Sequence, residues 1–168
     1  MKKSILFIFS ALIILATSSC APKLKILRGN YPQEFSTTTN KDFDYVWNNV
    51  IDFFARTGIP ITTMDKSSGY IVANKINVPL TMERDGKPVD SSAYVVIPEF
   101  KRYPTNTNGT ATFNVRIRDF GNYVTITVNM YDIVSNYVFS NGFILESAPC
   151  KGTSTGVFES KLLKIFNQ

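Results

Sequence analysis

The sequence predicts an α+β domain in which an antiparallel sheet of about five strands carries two helices packed on one face. Three observations support this fold class. A strand-like segment precedes an amphipathic helix, two hairpins of alternating polarity come next, and a second amphipathic helix closes the chain. The order of elements is therefore β-α-β-β-β-β-α, with a long excursion between the third and fourth strands.

The first strand is predicted over Phe35–Thr39, where β-branched residues dominate. Asn40 is expected to cap a helix that starts near Phe43. Apolar side chains recur in this helix at spacings of three and four residues, so one stripe of its surface is expected to be buried. The stripe comprises Phe43, Val46, Trp47, Val50, Ile51 and Phe54. Trp47 is therefore predicted to be a core residue and not a ligand platform.

Two hairpins account for the next four strands. The first is predicted over Ile59–Met64 and Tyr70–Val78, which a turn-rich link joins. In the second, Ala111–Arg118 and Tyr123–Met130 alternate apolar and polar side chains. This alternation predicts a sheet with one apolar face and one polar face.

The register of the second hairpin is predicted from that alternation. Pairing Arg118 with Tyr123 puts every apolar residue of both strands on one face, because side chains alternate with a period of two. The same register pairs Arg116 with Thr125, and Asn114 with Thr127.

Residues 79–109 separate the two hairpins and are long for a connection in a compact domain. They form either a binding loop or a region with an unrecognised element, and we favour the second interpretation. Tyr94–Ile97 is a candidate strand within it. The closing helix is predicted to begin after Ser154 or Thr155, with four apolar residues on one side: Phe158, Leu162, Ile165 and Phe166.

The first twenty residues have the order of an export signal. Lys2 and Lys3 precede the apolar run Ile5–Ala16, which is too short to span a bilayer as a helix, and small residues lead to Cys20. This predicts a removed signal peptide at residues 1–19, a tether at residues 20–33 and a single domain at residues 34–168. Cleavage at another position, with Cys20 free or discarded, stays open.

This segment resembles the lipobox of bacterial lipoproteins, although Thr17 stands where that family usually has Leu. The resemblance implies that Cys20 becomes the first residue and carries a diacylglycerol and an acyl chain such as palmitate. Ala21 follows the cysteine, and the sorting rule of these lipoproteins then implies the outer membrane, facing the periplasm. The membrane is thus one predicted partner.

Two strings in the domain carry a second resemblance, namely Phe43–Gly69 and Ser154–Glu159. Together with the order of elements, they resemble small envelope lipoproteins with a TATA-box-binding-protein-like fold. The lipoprotein C component of the outer-membrane β-barrel assembly machinery is among them. The resemblance implies a fold and a cellular compartment and carries no chemistry.

The composition excludes several classes of function. The sequence contains no histidine, which removes imidazole bases, Ser-His and Cys-His nucleophiles and histidine metal sites. The formal charge of +5 includes Lys2 and Lys3, so the mature chain carries +3, which is too mild to indicate nucleic acid. Cys150 is expected to be a buried structural thiol. We predict no catalytic residue, no metal site and no cofactor.

The leading prediction is a non-catalytic envelope component that binds a protein or a cell-envelope component through its polar sheet face or through residues 79–109. The partner is expected to be anionic, sugar-like or an acidic protein surface. The candidate binding residues are Arg116, Arg118, Tyr123, Thr125, Asn114 and Thr127. Three alternatives stay open: a merely solvated sheet face, a periplasmic carrier of a small ligand, and an enzyme that uses clustered carboxylates or Cys150.

Overall fold

The computed structural model describes residues 26–99, 106–140 and 145–167, without the side chains of residues 106–108, 136–140 and 145–150. The predicted signal peptide, Cys20 and the thiol of Cys150 lie outside the described residues. The elements are β1 Phe35–Thr39, α1 Phe43–Thr57, β2 Thr63–Asp65, β3 Tyr70–Val78, β4 Leu80–Arg84, β5 Lys87–Pro88, β6 Val95–Ile97, β7 Asn106–Asp119, β8 Val124–Ser140, β9 Leu145–Lys151, β10 Thr153–Ser154 and α2 Val157–Leu163.

These strands form two sheets. The main sheet has the order β1-β8-β7-β3-β2, and β9 also pairs with β8. The second sheet has the order β10-β6-β4-β5. The α+β class and the mostly antiparallel pairing are therefore confirmed, whereas the prediction of one sheet with both helices on one face is wrong in its number of sheets.

The second sheet arises where the chain leaves β3. Pro79 follows Val78 directly and has no N–H with which to continue the ladder. Its carbonyl accepts hydrogen bonds from the N–H groups of Tyr94 and Val95, at 3.0 and 3.1 Å. The chain then runs as β4 parallel to β6. The interpretation of residues 79–109 as a region with unrecognised elements is confirmed, because β4, β5 and β6 lie within it.

The predicted register of the second hairpin is wrong by two residues. Arg118 pairs with Thr125 and Arg116 with Thr127, while Asn114 lies opposite Asn129. Tyr123 belongs to the turn, where its carbonyl accepts the N–H of Phe120 at 3.0 Å and the two rings stack. A slip of two residues leaves every side chain on the same face, so the predicted division into apolar and polar faces is unaffected.

The core lies between the apolar face of the main sheet and the helices. Helix α1 begins one residue after Asp42, whose carboxylate accepts the N–H of Tyr45 at 2.7 Å, so Asp42 is the cap and not Asn40. Trp47 is 6% exposed, which confirms it as a core residue. Helix α2 contributes Phe158, whose ring centroid lies 4.1 Å from that of Phe113 on β7. Among the described residues, the rings of Phe53, Phe54 and Tyr94 also contact that of Phe158.

None of the helices in the described part of the chain is long and apolar enough to cross a membrane.

Candidate functional site

The polar face of the main sheet brings side chains from four strands into rows. One row runs from Tyr70 on β3 to Arg116 on β7, Thr127 on β8 and Ser36 on β1. A neighbouring row contains Arg118, Thr125 and Thr38. A third contains Val72, Asn114 and Asn129. We call this surface the polar face.

Arg116 and Arg118 are the charged centre of the polar face. They are two residues apart on β7, which places their Cα atoms about 7 Å apart on the same side of the strand. Both side chains are exposed, and neither forms an ion pair with any described residue. Strands β3 and β8 flank β7 on either side, so the backbone that carries the two guanidinium groups is fixed.

Asn114 extends the polar face away from the arginines. Its Nδ2 donates to the Tyr70 hydroxyl at 2.6 Å. The Oδ1 atom is buried and has no hydrogen-bond partner among the described residues. Asn114, Thr125 and Thr127 are all half-buried, which means that their polar atoms belong to a partly desolvated surface.

Five of the six predicted site residues lie in the rows of the polar face, whereas Tyr123 lies in the β7–β8 turn. The Tyr123 ring stacks on that of Phe120 in the β7–β8 turn, with centroids 5.1 Å apart. Sequence reasoning also missed Tyr70 and Asn129, which the face contains. Tyr70 belongs to the other hairpin, and only the pairing of β3 with β7 shows that it lies beside Arg116.

Among the side chains that the structure describes, two glutamates, Glu83 and Glu159, are buried. The Glu83 carboxylate accepts the N–H of Arg28 at 2.8 and 3.0 Å, the N–H of Gly29, and the Tyr31 hydroxyl at 3.2 Å. Burial and the neighbouring Glu83 raise the pKa of Tyr31 to about 12. Residues 28–31 are thereby held against the second sheet, although they belong to the predicted tether.

Glu159 lies in the first turn of α2 and is 1% exposed. Its Oε1 accepts a hydrogen bond from the Ser154 hydroxyl at 2.7 Å, whereas its Oε2 has no partner among the described residues. Burial raises the pKa of Glu159, and the bond from Ser154 partly opposes that shift. Across the described residues, no three His, Cys, Asp or Glu side chains gather as a metal site.

No protein-family model matches this chain, and a search of curated proteins finds no match in sequence.

Proposed function

We propose that the protein is a non-catalytic, lipid-anchored envelope lipoprotein that binds an anionic partner through its polar face. The observation that carries this proposal is the pair Arg116 and Arg118. Both are exposed, both lie on the same side of a central strand, and neither is paired with a described carboxylate. The absence of histidine from the whole sequence supports the non-catalytic part of the proposal.

The chemistry of the polar face favours a partner with carboxylate or phosphate groups. A guanidinium presents a planar fork of donors that matches either anion in a bidentate manner. Two such groups, carried by Cα atoms about 7 Å apart, can engage successive anionic groups of an acidic protein surface or an acidic polysaccharide. Hydroxyls of Thr125 and Thr127 lie opposite the arginines and supply further donors. Rigid strands position these groups better than loops do.

The proposed lipid anchor keeps this surface near the membrane. Arg28, which Glu83 holds, follows Cys20 by eight residues. A chain of this length reaches at most about 28 Å. The folded domain would therefore meet partners that are themselves in the same membrane or at its surface. Mass spectrometry of the mature protein should find an acylated peptide that begins at Cys20, and an unmodified start elsewhere would overturn the anchor.

The binding proposal is tested by the double substitution Arg116→Ala with Arg118→Ala. Affinity capture from membrane extracts of the native cell is compared for wild type and variant, after unfolding curves have shown equal stability. We expect the partner to be lost from the variant, and wild-type capture to weaken as salt is raised, because exposed charges are screened. The matched control is Arg56→Ala with Lys164→Ala, which removes the same charge from exposed positions in α1 and directly after α2.

A folded arginine variant that retains every partner captured by wild type would overturn the proposal. So would an equal loss in the control, because the effect would then come from net charge and not from this face.

A further inference from the structure

A cleft of about 860 Å³ lies over the region where the strands of the main sheet are irregular. Its lining includes Asn74 and Lys75 from β3, Thr112 from β7, and Tyr131 and Asp132 from β8. The volume falls within the range of sites that bind small molecules, about 300–1,000 Å³. Arg116 and Arg118 are not among its lining residues, so the cleft is separate from the arginine pair.

Two β-bulges build this cleft. On β3, Asn74 and Lys75 are inserted between the pairs Ala73 with Phe113 and Ile76 with Ala111. On β8, a second bulge occurs where the pairing with β7 shifts between Thr110 and Thr112. Bulges of this kind commonly re-aim a side chain beside a binding site. Here the bulged segments of two strands line the same cleft.

The bulges hold two charged residues in a strained backbone conformation. Lys75 has φ +51° and Asp132 has φ +50°. A residue with a Cβ pays about 1–2 kcal/mol in this left-handed region. Asp85 also has a positive φ, +51°, but it precedes Gly86 in the β4–β5 turn, where such angles are usual. Neither Lys75 nor Asp132 is in a hairpin turn, and each lines the cleft.

Hydrogen bonds fix the first bulge in place. The Thr112 hydroxyl donates to Asn74 Oδ1 at 2.9 Å and accepts the N–H of Lys75 at 3.5 Å. Thr112 is 2% exposed, so these bonds come from a side chain that is itself buried. The backbone that carries Lys75 is therefore held by a buried side chain, as strained residues at binding sites usually are.

Lys75 and Asp132 have opposite charges, yet they do not pair. Within the described part of the chain, neither side chain has an ion pair or a side-chain hydrogen bond. Tyr131, which is 40% exposed, stands next to Asp132 and also lines the cleft. Burial raises the pKa of Tyr131, with Tyr70 and Asp132 as further causes. The cleft thus offers the unpaired charges of Lys75 and Asp132 and an aromatic hydroxyl, while its other lysine, Lys151, already interacts with another group.

We propose that this cleft binds a zwitterion of short-peptide size, with its ammonium on Asp132 and its carboxylate on Lys75. A ligand with both charges satisfies both side chains in charge-assisted hydrogen bonds. The amide of Asn74 and the hydroxyl of Tyr131, which also line the cleft, then accept or donate along its middle. The proposal does not depend on the arginine pair or on the lipid anchor.

The probe is the dipeptide Ala-Ala, with N-acetyl-Ala-Ala and Ala-Ala amide as forms that lack one charge each. Amide NMR shifts of the labelled protein are followed up to a ligand concentration of ~10 mM, which detects Kd values in the millimolar range. We expect shifts at Asn74, Lys75, Thr112, Tyr131 and Asp132. Either blocked form should bind about tenfold more weakly than Ala-Ala.

Two variants test which side chain of the cleft binds which charge of the dipeptide. Asp132→Asn and Lys75→Asn remove a charge and keep a residue that tolerates positive φ. Asp132→Asn should bind Ala-Ala and N-acetyl-Ala-Ala equally, and Lys75→Asn should bind Ala-Ala and its amide equally. Asp85→Asn is the matched control, because it makes the same change at the same φ outside the cleft lining, and it should bind as wild type does.

Three outcomes would overturn the proposal. The first is that Ala-Ala causes no shifts, and the second is that it shifts only residues outside the cleft. The third is that both Asn variants still prefer Ala-Ala over its blocked forms as strongly as wild type does. Loss of the arginine pair should leave this titration unchanged, so the result is independent of the polar-face proposal.

Discussion

Glu83 and Glu159 are both almost fully buried, with 3% and 1% of their surface exposed, and the structure treats them differently. Glu83 receives hydrogen bonds from two backbone N–H groups and a tyrosine hydroxyl. Glu159 receives one from Ser154, and its second oxygen has no partner among the described residues. Hydrogen-bond donors thus surround the Glu83 carboxylate, whereas packed side chains surround most of the Glu159 carboxylate.

The two carboxylates therefore differ in how the loss of water around them is offset. Three donors solvate the Glu83 charge in place of water, and they come from a chain segment more than fifty residues away. Glu83 therefore joins residues 28–31 to the second sheet. For Glu159, burial outweighs the hydrogen bonds from Ser154 and from its own backbone and raises its pKa, so folding favours the protonated form.

The largest effect is expected for Glu83→Ala. This change leaves the N–H groups of Arg28 and Gly29 and the Tyr31 hydroxyl without their acceptor. Hydrogen bonds to charged groups are each worth about 1.5–3 kcal/mol, and part is regained from water, so we expect a loss of about 3 kcal/mol in the free energy of unfolding. Urea unfolding measures it. Trypsin should also cleave after Arg28 in the variant much faster than in wild type.

The control for this prediction is Glu34→Ala, which removes an exposed glutamate from the same region. It should change neither the unfolding midpoint nor the cleavage rate. A stability of Glu83→Ala equal to that of the control would show that Glu83 does not hold the segment.

A smaller effect on the same contact is expected for Gly29→Ala. A Cβ built at this position lies 2.4 Å from the Gly86 carbonyl oxygen and 2.8 Å from the Tyr31 ring. The backbone of Gly86 cannot move aside as a flexible side chain does, so residues 28–31 must shift away from Glu83. We expect this shift to lower the free energy of unfolding by about 2 kcal/mol. Spectrophotometric titration should then show the pKa of Tyr31 falling from about 12 toward its usual value. An unchanged Tyr31 titration would mean that the segment accommodates the methyl group in place.

Neither glutamate could be assigned from the sequence, although much of the main sheet could. The strand at Phe35–Thr39, helix α1 and the polar and apolar faces of β7 and β8 follow from local periodicity. The second sheet does not, because β4 and β6 pair over three residues and β10 pairs over two. Such short contacts leave no periodic pattern, and the partners of Glu83 are distant in sequence.

The polar face and the cleft also differ in how far the sequence predicts them. Alternation with a period of two places Arg116 and Arg118 on one face, but it cannot distinguish registers that differ by two residues, which is why the predicted pairing of Arg118 with Tyr123 is wrong. The bulges are, however, visible in the sequence pattern. Ala73 and Ile76 are apolar residues three apart in a strand, and Met130 and Ile133 repeat that spacing. A break of this kind in the two strands that flank β7 indicates a bulge in each of them.

The smallest effect on stability is expected for Glu159→Gln. This substitution is also the sharpest test of the contrast between Glu83 and Glu159. Glutamine retains an oxygen that can accept the Ser154 hydroxyl, and it removes the charge that burial disfavours, so the stability at neutral pH should change by less than about 1 kcal/mol. The pH dependence should change more clearly. Because the folded state raises the pKa of Glu159 above its usual 4.5, the native protein binds more protons than the unfolded chain. The stability of wild type therefore falls as pH rises through that range, since the slope follows the difference in bound protons.

The glutamine variant lacks this titration, so its stability relative to wild type should increase from pH 4.5 upward. Urea unfolding of both proteins across this range measures the difference, and Glu34→Gln, at an exposed position, should run parallel to wild type. Parallel curves for Glu159→Gln and wild type would show that Glu159 keeps an ordinary pKa in the folded protein. Its buried Oε2 would then need a donor, as the oxygens of Glu83 have, and the contrast between the two carboxylates would disappear.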